Sequence, residues 1–65
     1  SQWTINSENS DITLVEVFDL QGKLMINLNP DSPVAKINTS GLVKGIYFSK
    51  ISTNSGTSTV RLVKK

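Results

Sequence analysis

Apolar residues recur along this chain at a spacing of two, in short runs separated by Gly, Asn, Asp, Ser and Pro. Strand side chains alternate between faces, so this spacing marks half-buried strands, and no segment carries the wider spacing of a long amphipathic helix. Trp3 and Ile5 flank Thr4 in a short first strand, ended by the polar stretch from Asn6 to Asp11. Ile12 to Phe18 predicts a second strand, with Val15 and Val17 on one face and Glu16 and Phe18 on the other. Ile12 and Leu14 fall out of phase with that alternation, which predicts a bulge near Leu14.

Asp19-Leu20-Gln21-Gly22-Lys23 predicts a hairpin connection, Asp19 accepting local backbone hydrogen bonds and Gly22 free to adopt positive φ. It leads to a strand through Leu24, Ile26 and Leu28. Pro30 and Pro33 then break the ladder, because proline has no N–H to give it. Val34, Ala35 and Ile37 form a brief strand, and the segment from Asn38 to Gly45 reads as a compact turn. Ile46 to Thr53 is the strongest strand, with Tyr47, Ser49 and Ile51 on one face and Ile46, Phe48 and Lys50 on the other. Its faces differ little in polarity, which predicts a central position. Asn54-Ser55-Gly56 turns the chain into a last strand, Thr57 to Val63, where Val60 and Leu62 oppose Thr59, Arg61 and Val63. The expected fold is all-β: a small antiparallel β-sandwich of six to seven short strands, immunoglobulin-like in appearance and too small to enclose a ligand.

Composition agrees with that reading. Ser, Thr and Asn supply 21 of the 65 residues, suiting turns and solvent-facing strand positions. Cysteine and histidine are both absent. No disulfide or thiolate metal site supplements the small core, and the commonest general base and metal ligand are missing. No apolar run approaches the ~18 residues of a membrane span, and the chain does not open like a signal peptide.

Charge is distributed unevenly. The five acids Glu8, Asp11, Glu16, Asp19 and Asp31 share their half of the chain with Lys23 alone, giving −5 + 1 = −4. From residue 32 onward Lys36, Lys44, Lys50, Arg61, Lys64 and Lys65 give +6. An anionic partner would explain this, as would hairpins that interleave the halves and set acids beside bases.

Catalytic chemistry finds no anchor. A serine–lysine pair or the carboxylates of Glu16 and Asp19 would be candidates, but nothing distinguishes them from surface residues. Gly41-Leu42-Val43-Lys44-Gly45 lacks the spacing of a phosphate loop, and Asn38-Thr39-Ser40 is a three-residue sequon match of little weight. The chain is read as a non-enzyme without metal or cofactor. Nucleic-acid binding, which would need Trp3, Tyr47 and Phe48 as stacking platforms, is set aside in favour of core packing. An adhesive or carbohydrate-binding sandwich, with Trp3, Phe18 and Tyr47 lining one face, is the alternative reading; tandem copies in mid-chain would favour it.

Three segments in order carry a resemblance: Val15 to Met25, Leu42 to Phe48 with its Gly45-Ile46-Tyr47 core, and Val60 to Lys65. Together they resemble the type A C-terminal sorting domain of Bacteroidetes type IX secretion cargo. The resemblance implies a small sandwich at the end of a larger exported protein, continuous with an upstream cargo domain. It further implies recognition by an outer-membrane translocon and its shuttle protein, then removal by a cell-surface sortase that links the cargo to lipopolysaccharide. No nucleic acid and no membrane span of its own are expected. The family's opening Pro-Asn-Pro segment is missing before Ser1, so the chain is read as one sorting domain, residues 1–65, lacking its most N-terminal segment. Arg61 stands where the family usually has lysine. Gly45, Tyr47, Arg61, Lys64 and Lys65 are expected to meet the partner, the last three from a frayed, exposed end. Asp19, Gly22, Lys23, Leu42 and Gly56 are expected to shape the structure.

Overall fold

The computed structural model describes residues 2–65; Ser1 lies outside the described residues. Six strands form, β1 (Gln2–Asn6), β2 (Ile12–Phe18), β3 (Leu24–Leu28), β4 (Val34–Asn38), β5 (Gly45–Thr53) and β6 (Gly56–Lys64). That is the lower of the two strand numbers expected. All pairing is antiparallel, β1 with β4 in one sheet and β3-β2-β5-β6 in the other. β5 is therefore internal, as its two-sided apolar character requires.

The core lies between the sheets. Val15, Val17, Tyr47 and Ile51 of the larger sheet meet Ala35 and Ile37 of the smaller, with Ile12 and Leu42 buried among them and Trp3, Ile5, Ile26 and Leu28 packed at the margin. Ile12 and Val15 stand three residues apart, an odd spacing that a regular strand would send to opposite faces. The register of β2 against β5 slips between Ile12 and Leu14, and that bulge turns both side chains inward. Ile12 also holds the loop that leads into β4. Its amide donates to the Ser32 carbonyl at 2.8 Å and its carbonyl accepts from the Asp31 amide at 2.9 Å, seating the loop between Pro30 and Pro33.

Two features of the core stand out. Ser49 is fully buried between Val17 and Val60 in the strand register, and its hydroxyl has no hydrogen-bond partner among the described residues. Val60, on the same inner face, remains 41% exposed, so the two-stranded sheet covers β6 incompletely.

The outer face of the larger sheet is not uniformly polar. In register across its strands run Leu24, Phe18, Phe48 and Arg61, with Ile46 beside Val63 in the neighbouring row. Directly opposed side chains in such rows stand about 5 Å apart, close enough to form one continuous surface. Glu16 faces Lys50 in the adjacent polar row.

Candidate functional site

Two turns meet at the end of the sandwich where β2 finishes and β5 begins. The first, Asp19 to Lys23, is closed by the Asp19 carboxylate, whose Oδ1 accepts from the amides of Gln21 and Lys23 at 2.9 Å each. The Gly22 amide donates to the Asp19 carbonyl at 3.0 Å, and Gly22 holds φ at 84°, where a Cβ would strain the backbone. Lys23 and Gly22 are exposed.

The second turn, between β4 and β5, is held from three sides. Asn38 Oδ1 accepts from the Ser40 amide at 2.9 Å, and the Leu42 amide donates to the Thr39 carbonyl at 2.9 Å. Tyr47 Oη donates to the Val43 carbonyl at 2.6 Å. From β6, Lys64 Nζ donates to the Thr39 carbonyl at 2.5 Å and the Leu42 carbonyl at 2.9 Å. Hydrogen bonds from a charged donor are among the stronger kind, and these span 25 and 22 residues. Leu42 inserts into the core, whereas Val43 next to it stands 78% exposed. Gly45 leaves the turn with φ at 150°, in a region costly for residues with a Cβ, and pairs with Lys64.

Between the turns lies an open cleft of about 330 Å³, lined by Asp19, Leu20 and Gln21 on one side and Val43 to Tyr47 on the other. Leu20 is 65% exposed at its rim. Ile46 belongs both to the cleft and to the outer face, so the cleft runs on into the apolar rows of Phe18, Phe48 and Val63. This is contact chemistry: apolar side chains, cations and turn backbone.

A family model for the secretion system C-terminal sorting domain matches residues 1–65. The chain belongs to that family. It is a type IX secretion sorting domain, a class of secretion signal and not a catalytic one. No curated protein and no solved structure matches this sorting domain.

The fold places the sorting domain's expected residues unequally. Tyr47 is buried, and its ring lies 5.9 Å from that of Trp3 at a 60° tilt. Arg61 is exposed on the outer face opposite Phe48, and Lys65 is exposed beyond β6. Lys64 is only half-exposed and occupied with the turn, and β6 stays paired with β5 to its last residue. The expected frayed end is therefore a tethered one, because the lysine stem reaches back to carbonyls that need a donor. Gly56 opens β6 at the far end of the molecule, away from the cleft. Trp3, Phe18 and Tyr47 do not share a face: Phe18 is in register with Phe48, one residue out of phase with Tyr47, and points outward.

Several contributors were not evident from sequence. Thr39 is buried and its carbonyl accepts two of the turn's bonds. Leu20, Val43 and Phe48 carry the exposed apolar character. The signal for Val43 was available: two adjacent apolar residues inside a tight turn cannot both enter the core.

Charge separates along the molecule. Asp11 and Asp31 flank the start of β2, where the Asp11 carbonyl accepts from Asn54 at 3.3 Å, and Glu8 lies in the same turn region. Lys23, Lys44, Lys64 and Lys65 lie at the cleft end with Arg61 near it, where the one acid, Asp19, is engaged by its own turn. Glu16 opposite Lys50 is the only acid–base pair in strand register among the described residues. Folding interleaves the two halves of the sequence there and sorts the charges elsewhere.

Proposed function

We propose that this domain is the address read by the outer-membrane translocon of the type IX system and its shuttle protein. It directs an upstream cargo from the periplasm to the cell surface, where a sortase removes the domain. One observation carries this reading: segments 15–25 and 42–48, far apart in sequence, converge on a single cleft with exposed apolar walls. The third segment, 60–65, supports that cleft through Lys64. A translocon that handles unrelated cargoes needs a folded handle whose recognition surface is independent of what precedes it.

The test is a periplasmic reporter carrying this chain at its C-terminus, in a bacterium that has the type IX apparatus. The reporter is expected outside the cell, and a control lacking residues 60–65 is expected to remain in the periplasm. Periplasmic retention of the intact, folded fusion overturns the reading.

A further inference from the structure

We infer that the cleft end and the adjoining outer face form a docking surface for an extended, acidic polypeptide segment whose apolar side chains alternate with carboxylates. This rests on the sorting reading for its biological setting and on the geometry for its chemistry. The apolar rows are set by strand register, Leu24 to Phe18 to Phe48 and Ile46 to Val63, with the β2–β3 register shifting by one residue where Leu24 joins its row. Side chains projecting from one face of an extended segment, every second residue, match such rows. Leu20 and Val43, both exposed, extend the surface into the cleft, and it is the contiguity of the patch that marks an interaction site.

Charge selects the occupant. Lys23 precedes Leu24, Lys44 lines the cleft beside Val43, Arg61 ends the row that begins at Leu24, and Lys65 follows the strand that bears Val63. Arg61, the one of these four that lies in a strand, has Phe48 opposite it; of the nearby side-chain carboxylates, Asp19 is spent on the Gln21 and Lys23 amides and Glu16, in the adjacent outer row, stands opposite Lys50. The acids Glu8, Asp11 and Asp31 lie toward the opposite end, so the molecule's own field orients an anionic partner onto the cleft before contact.

The probe is a twelve-residue peptide alternating valine and glutamate, capped at both ends by two serines. It is titrated into the ¹⁵N-labelled 65-residue chain, with a serine–glutamate peptide and a valine–glutamine peptide as controls. Amide shifts are expected at residues 18–24, 43–48 and 61–63 with the first peptide alone, weakening as salt is raised. Val43→Ser with Phe48→Thr, and separately Lys44→Gln with Arg61→Gln, are each expected to weaken binding roughly tenfold or more while the melting curve shows a folded domain. Equal binding of the serine–glutamate peptide reduces the surface to a charge patch and overturns the inference. So does preferential binding to vesicles of one-third anionic phospholipid, or self-association of the chain by sedimentation. Export of the reporter is measured on the same variants. An intact fusion that stays in the periplasm defeats the sorting reading whatever the peptide does, whereas normal export by both folded double variants, with no peptide shift, defeats only the docking surface.

Discussion

Lys64 joins the end of β6 to a turn formed more than twenty residues earlier, and its ammonium is the only charged donor those carbonyls have among the described residues. Replacing it with glutamine is expected to cost about 1–2 kcal/mol, the loss of charge-assisted bonds at a half-exposed site. Arg61→Gln, on the open face, should stay within about 0.5 kcal/mol. Urea denaturation of the two variants checks this, and equal stabilities would mean that the tether contributes nothing. Ser49 makes the opposite case. Its buried hydroxyl carries a desolvation cost with no bond in return, so Ser49→Ala is expected to leave stability unchanged or raise it by about 1 kcal/mol. A loss above that size in the same assay would show that the hydroxyl has a partner. Neither role was legible in the sequence. Lys64 read as one of three terminal cations, because its partners are set by a strand order that no local pattern records, and Ser49 read as one polar residue in an alternating strand.

At the scale of elements the sequence was far more legible, because strand period and turn chemistry are local. The bounds of β2 and the bulge near Leu14 follow from the broken phase of Ile12 and Leu14 against Val15 and Val17. The inward set of β5, Tyr47, Ser49 and Ile51, follows from its alternation. What stayed hidden was how the strands face one another: the joining of Phe18 to Phe48 depends on β2 pairing with β5, which skips two strands in the chain. That order also predicts unequal local stability. β2 and β5 are bonded on both sides, whereas β1 and β4 form a two-stranded sheet with an outer edge each. Hydrogen exchange should therefore proceed first in β1 and β4 and last in β5. Uniform protection across all six strands would show that the domain opens only as a whole.

At the scale of the molecule, the elongated body, 31 × 22 × 15 Å, has chemically distinct ends, one with three exposed acids and one with the cleft and most of the cations. Shortening the chain should reveal how that second end is maintained. A chain ending at Val63 is expected to melt several degrees lower than one ending at Lys64, since ~1 kcal/mol shifts a domain of this size by about 4–8 °C. A chain ending at Lys64 should melt close to the 65-residue chain, because Lys65 is exposed. Differential scanning calorimetry separates the three, and coincident melts would discount the tether. Synthesis gives the same tether a temporal meaning. The turn from Thr39 to Val43 emerges from the ribosome well before the ammonium that fastens two of its carbonyls, so translation order and assembly order are reversed at the cleft. A chain arrested just short of residue 64 can pair most of its strands yet leaves this turn without its clasp, so the last fastening at the cleft waits on a residue that follows nearly all of β6.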